Sequence, residues 1–450
     1  MLVLALSIAT VLLVYGSTTE ASRLVRADAR TRLALLEATQ ALIGRAVADS
    51  NRPGSLPCPD NDDDGSADLF SGSACRSYLG RLPWRTLGVG DLRDAAGERL
   101  WYALSPAFRD HPFAPALNTD TRGTLAVFSL SKSRVLTDQA IAIVFAPGGA
   151  LGRQRRDASV AFCDATARDV MRTRCPSNYL DVHAEANNAL SGGPFIAAPE
   201  RGLVNDKLAI VVAADLMPLV ERRVALEMRN ALLAYRAASD CACYPWADSG
   251  NDGKSDVGTH QGRLPYLDAL PEQWRIGALP GYFAANDWGR VLYYAVGREA
   301  LAGQGKACTT CPAPGLSLDS QPGYDVVLLT TGYSDTGAPR TSWADYVDDA
   351  ENRNHDERFV TPTSSGADRD RIYAIAGGAA GCAVNAKVLI DNAPCRAPEL
   401  GVRPICASAR SALRACTCAG AAAAFVSAPC AESLAPQQCG VAMTQLRECL

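Results

Sequence analysis

The chemistry with the clearest spacing sits at residues 60–68, Asp60-Asn61-Asp62-Asp63-Asp64-Gly65-Ser66-Ala67-Asp68. Side-chain oxygens fall at positions 1, 3, 5 and 9 of this loop, with glycine at position 6, which is the opening of a calcium loop. Carboxylate oxygens suit a hard divalent cation, and the glycine supplies the sharp turn. Position 12, where a bidentate Glu is expected, holds Ser71. A second copy at 248–256 keeps Asp248, Asp252, Gly253 and Asp256, but has Gly250 at position 3 and Lys254 at position 7. The candidate calcium ligands are therefore Asp60, Asp62, Asp64 and Asp68 in the first loop and Asp248, Asp252 and Asp256 in the second. Four close carboxylates repel one another, which favours a cation in the first loop, with an affinity on the order of 10⁻⁴–10⁻³ M. The competing reading is an Asx-rich polar turn that holds no ion.

Cys58 and Cys75 bracket the first loop, and a disulfide between them would pre-order its ligands. Closing a loop of that length is worth about 3 kcal/mol in the chain-entropy model. Cys163 and Cys175 form a second local candidate pair. Sixteen cysteines in 450 residues, an even and high number, favour an oxidising compartment. In that setting Cys241-Ala242-Cys243 and Cys308-Thr309-Thr310-Cys311 read as structural rather than as redox or zinc sites. His183-Ala184-Glu185 opens like a zinc deaminase signature, but no Pro-Cys-x-x-Cys follows, since Ala307 precedes Cys308. No G-x-S-x-G, H-E-x-x-H or P-loop pattern is present. A non-catalytic protein is the expectation. With 44 basic against 48 acidic residues there is no electrostatic footprint for nucleic acid.

These loops are embedded in a repeat. GRLPW (80–84) matches GRLPY (262–266), and Gly97, Leu100, Tyr102 and Ala103 match Gly289, Leu292, Tyr294 and Ala295. IAIVFAPG (141–148) matches DVVLLTTG (325–332), and a helical pattern precedes each set, at 33–48 and at 222–238. The order holds while the offsets drift between 182 and 192 residues, so a unit of about 185 residues is duplicated. LWYAL (100–104) and VLYYAV (291–296) read as antiparallel strands, and KLAIVVAA (207–214) and RIYAIAG (371–377) as closing strands. One helix followed by consecutive strands is an α+β pattern, with the helix on one sheet face. Eight of the 16 cysteines fall in 382–449, which reads as a disulfide-stapled module. The expected organisation is an apolar membrane or assembly segment at 1–22, a first domain at 23–215, a second at 216–380 and the Cys-rich tail at 381–450.

Residues 1–16 are almost entirely apolar, slightly short of the roughly 20 residues of a full span. A cleavable signal is one reading, but no basic segment precedes the run and the helical pattern does not stop where cleavage would fall. From Glu20 to Ala48 there is no Pro, and Leu24, Leu33, Leu36, Leu42 and Ile43 recur near helical spacing. One helix of some 70 Å from about residue 2 to residue 49 is predicted, at 1.5 Å per residue. Arg23, Arg26, Arg30 and Arg32 would place this side in the cytoplasm by the positive-inside rule. The cysteines point the other way and weigh more. An upstream leader carrying basic residues would remove the conflict, and Met1 is then either a mature end or a late start.

The long helix with its apolar first third, then LPCPD, GRLPW, D-x-x-G-ERLWYAL and a sheet, resembles type IV pilin-like and type II secretion pseudopilin-like proteins. More narrowly, it is similar to large uncharacterised proteobacterial pseudopilin-like proteins that share the LPCPD and GRLPW turns. Asn286-Asp287-Trp288-Gly289 looks like the D-x-W-G turn of pseudopilins, where the first unit has Asp94-Ala95-Ala96-Gly97. The likeness covers 1–377. It implies tandem pilin-like helix-plus-antiparallel-sheet domains in a filament subunit that is held in the inner membrane before assembly, single-pass, with its domains periplasmic or extracellular. Other pilin or pseudopilin subunits are the implied partners of the first helix. No G-F-T-L-x-E peptidase motif is present, and position 5 is Ala5 where major pilins carry a Glu. A buried charge without a partner is costly, so its absence suits a tip-located or minor subunit rather than a major pilin. The alternative is an anchored or secreted adhesin that never enters a filament and binds a surface ligand through the Cys-rich tail.

Overall fold

The computed structural model describes residues 2–129, 134–152, 154–156, 175–183, 187–197, 204–238, 244–265, 279–297, 315–334, 340, 343–362 and 369–376, with side chains from residue 21 onward. The Cys-rich tail, Cys163, Cys241, Cys243, Cys308 and Cys311 lie outside the described residues, as do the side chains of the apolar first segment. Among the described residues no helix is long and apolar enough to cross a membrane.

The first helix, α1, runs Leu2–Ala48. Thr31, Ala34, Leu35, Ala38, Leu42 and Ala46 are its buried positions, a 3–4 spacing that makes one stripe. That stripe differs from the one expected. Leu42 is buried, but Leu24, Leu33 and Leu36 are exposed and Ile43 is half-buried. The sheet side is built largely from alanine, which lets the helix lie close to the strands, so counting leucines picked the wrong face.

The chain divides by its internal contacts into Met1–Leu117 with Thr121–Val220, and Asn118–Asp120 with Glu221–Leu450. In the first unit, β1 (Leu79–Arg81), β2 (Trp101–Leu104), β5 (Ala142–Ala146) and β7 (Lys207–Val211) form an antiparallel sheet in that order. Its central rung reads Gly80, Tyr102, Val144, Ala209. Helix α1 packs on β5 and β7. Side chains alternate across a strand. Trp101, Ala103, Ile143 and Phe145 accordingly enter one apolar cluster with Leu125, Val127 and Phe195. These last three come from a small second sheet of β3 (Leu125–Phe128), β4 (Val135–Ala140) and β6 (Phe195–Ile196). The alternate residues, Tyr102 and Val144, are left for the helix-covered face.

The second unit repeats this ladder. Strands β8 (Gln261–Arg263), β9 (Leu292–Val296), β11 (Gln321–Thr330) and β13 (Arg371–Ala376) pair in the same order, with the rung Gly262, Tyr294, Leu328, Tyr373. Strands β10 (Leu316–Leu318) and β12 (Arg358–Phe359) pair in parallel, as β3 and β6 do. The long β11 does the work of β4 and β5 together, so six strands share one sheet. Helix α2 spans Ala213–Ala238 and starts earlier than the expected 222. The strand expected to run to 214 ends at Val211, because the Asp215 carboxylate accepts the Val212 N–H at 3.0 Å and starts the helical turn. Helix and antiparallel sheet in each unit make the chain α+β.

Candidate metal centre

The first Asp loop is attached to the sheet through the GRLP turn. Asp60 N–H donates to Arg81 O at 3.0 Å, and Arg81 N–H donates to Asp60 O at 2.7 Å. A Cβ on Gly80 would stand 2.7 Å from Asp60 O, so only glycine admits this approach. The Arg81 guanidinium lies 4.3 Å from the centroids of both Trp101 and Tyr179. That stacking fixes the strand that carries the loop. Trp84 braces the loop from the other side: a Cβ on Gly65, whose φ is +89°, would sit 2.5 Å from its indole. The Cys58–Cys75 disulfide forms as expected. Cys175 is also disulfide-bonded.

Within the loop, Asp60 Oδ1 accepts the N–H groups of Asp62 (3.1 Å) and Asp63 (2.7 Å), and Oδ2 accepts that of Gly65 (2.7 Å). Burial pushes the Asp60 carboxyl up to about 7, the charges of Asp62 and Asp63 adding to the effect against the Gly65 and Asp63 N–H bonds. Asp63 is already neutralised by Arg99 Nη1 at 3.0 Å. One carboxylate oxygen each from Asp60, Asp62 and Asp68 lie within 4.8 Å of one another, the only such acidic group among the described residues. Asp64 is outside that group, its Oδ1 taking the Ser66 N–H at 2.6 Å. The donor set is all oxygen, as calcium requires. Asp60, Asp62 and Asp68 form an acidic group that could hold a metal ion; Asp64 is not with them.

The second loop has the same backbone frame. Asp248 and Arg263 exchange both backbone bonds at 3.0 and 2.8 Å, and Asp248 accepts the Asn251 and Gly253 N–H groups at 2.7 and 2.8 Å. Its carboxylates do not converge in threes. Asp256 Oδ2 is taken by Ser249 N–H and Oγ, both at 2.7 Å, and by Gly250 N–H at 3.0 Å. Asp252 faces its own neighbour Lys254, at 4.0 Å. Gly250 at position 3 brings no carboxylate of its own, and the loop closes on its own hydrogen bonds.

Sequence reasoning missed the residues that hold the frame from behind. Tyr179-Leu180-Asp181 and Tyr346-Val347-Asp348 are equivalent: Arg81 stacks on Tyr179, and Arg263 lies 5.9 Å from the Tyr346 centroid. Asp206 Oδ2 accepts the Asp181 N–H at 2.7 Å, and Asp370 Oδ2 the Asp348 N–H at 3.0 Å. Asn188 and Asn352 each exchange two hydrogen bonds with a backbone eight residues on, at Ile196 and Val360. The only signal was the short Tyr-x-Asp match. In the second unit Asp287 adopts a left-handed conformation at φ 54°, and Trp288 behind it is fully buried. In the first, Asp94 instead accepts the Ala96, Glu98 and Gly148 N–H groups at 2.8, 2.9 and 2.7 Å.

No family model matches the chain, and neither does any curated protein or solved structure.

Proposed function

We propose that the chain is a non-catalytic minor subunit, tip-located, of a type IV pilus or type II secretion pseudopilus. The observation that supports it most is α1 itself. Its second half lies on a four-stranded antiparallel sheet, and the same helix continues upstream into sixteen nearly uninterrupted apolar residues. In this reading the upstream part anchors the chain in the inner membrane and then joins a bundle of like helices, while both helix-plus-sheet units are displayed outside. Calcium held by Asp60, Asp62 and Asp68 stiffens the first loop. Deleting residues 1–22 is expected to abolish both filament incorporation and co-purification with pilin subunits. Incorporation of the truncated chain at the full-length level would overturn the reading; a truncated chain that still binds surfaces but never enters filaments would favour the anchored adhesin.

A further inference from the structure

Between α1 and the Gly148-Gly149 turn the first unit holds a cavity of about 900 Å³, within the range of small-molecule sites. Its apolar lining includes Ala27, Ala95, Ala96, Ala146 and Leu151. Asn205 lines it too, 8% exposed, and its Oδ1 has no hydrogen-bond partner among the described residues. A buried acceptor left without a donor is costly, so this position calls for a donor that the chain does not bring. Lys207 and Asp28, the charged residues of the lining, are already paired with each other at 2.6 Å. The cavity therefore suits a neutral ligand.

The second unit puts larger side chains of its own at the equivalent place. Gly148 and Gly332 correspond, with φ of +64° and +63°. A Cβ on Gly148 would stand 2.8 Å from Asn205 Nδ2, and one on Gly332 would stand 2.3 Å from Arg369 Cβ. Asn205 Nδ2 donates to Gly149 O at 2.7 Å, and Arg369 Nη1 makes the same bond to Tyr333 O at 2.7 Å. The Arg369 guanidinium then lies 4.8 Å from the centroid of the Tyr333 ring. The first unit has the smaller residue at both positions, Asn205 for Arg369 and Gly149 for Tyr333. A Cβ on Gly149 would meet nothing within 4 Å.

We infer that this cavity binds a small, neutral, planar aromatic molecule that carries one hydroxyl or N–H donor. Its ring takes the place that Tyr333 has in the second unit, and its donor meets the acceptor at Asn205. Burial of the ring against the apolar lining supplies the affinity, and the single hydrogen bond sets the orientation. The site lies within one unit and depends neither on filament entry nor on calcium.

The probe is 2-naphthol, two fused rings with one hydroxyl, titrated into the full chain in detergent micelles and followed by its own fluorescence. Its methyl ether, 2-methoxynaphthalene, keeps the rings and lacks the donor. Partitioning into the micelle is common to every variant and cancels in the comparison. Saturable binding of 2-naphthol to the parent chain is expected. Gly149→Tyr with Asn205→Arg installs the side chains of the second unit and should weaken binding about tenfold or more. Ala27→Leu narrows the cavity from the helix side and keeps a good helix former, so it guards against misfolding of the double variant. It should weaken binding about threefold or more. The ether should bind about fivefold more weakly than the alcohol, and Asn205→Leu, close in volume but without the acceptor, should erase that difference. Absence of saturable binding to the parent chain, equal binding by the parent and Ala27→Leu, or an ether that binds as well as the alcohol overturns the proposal.

Discussion

Asp60 illustrates how one residue serves two ends. Its backbone is a rung of the sheet edge, and its side chain, buried to 1% exposure, gathers three N–H groups and meets Asp62 and Asp68. Calcium titrated into the full chain should therefore give a calorimetric signal that Asp62→Ala with Asp68→Ala removes and Asp252→Ala leaves intact. No heat from the parent chain would end the calcium reading. The loop itself was legible, because Asp and Gly at fixed positions dictate where side chains can reach backbone N–H groups. The choice among its carboxylates was not, since it depends on how the folded loop aims each side chain: Asp60, Asp62 and Asp68 converge and Asp64 does not. The Tyr179 and Tyr346 stacking was illegible for another reason. Arg81 and Tyr179 meet across 98 positions, and nothing local to either residue reports it.

At the level of elements, α2 carries an ionisable group where a helix core should have none. Glu221 is 1% exposed, and the closest cation is Arg371 Nη1 at 3.6 Å. Burial pushes its carboxyl up to about 8, with Arg371 and Arg340 opposing. The folded state thus holds a proton that the unfolded state releases near pH 4.5. The stability this contributes is fully present below that pH and is lost as the pH rises through 8, at most about 5 kcal/mol in all. Between pH 6 and 9 the melting point should fall by roughly 5–10 °C from this group, and Glu221→Gln should flatten the dependence. An unchanged slope in the variant would refute it. Helix existence was readable from the pattern at both α1 and α2. Helix facing was not: alanines at 34, 38 and 46 outrank leucines at 33 and 36 because the sheet rewards close approach.

For the whole molecule, the duplication seen in short matches extends through the entire strand order of both units, including residues with no visible likeness such as Ala209 and Tyr373. Ladder positions survive because register on a half-buried sheet is set by period-two alternation, which many residues satisfy. The turns kept their letters instead, since Gly80 and Gly262 each face a carbonyl that any Cβ would strike. The proposed placement outside the reducing cytoplasm has its own whole-chain consequence. Thiol titration of unreduced protein in denaturant should find few free groups among the 16 cysteines, two of which are joined as Cys58–Cys75. A majority of free thiols would refute that placement.

The two reciprocal bonds between Asp60 and Arg81 also decide what kind of device the loop can be. A segment stitched to a strand at one end and clamped by a disulfide at both flanks cannot swing as a flap or close as a lid. Whatever rests on it feels the orientation of the whole sheet beneath. A force on the loop is therefore passed to β1 through the Asp60–Arg81 bonds and to residues 58 and 75 through the disulfide.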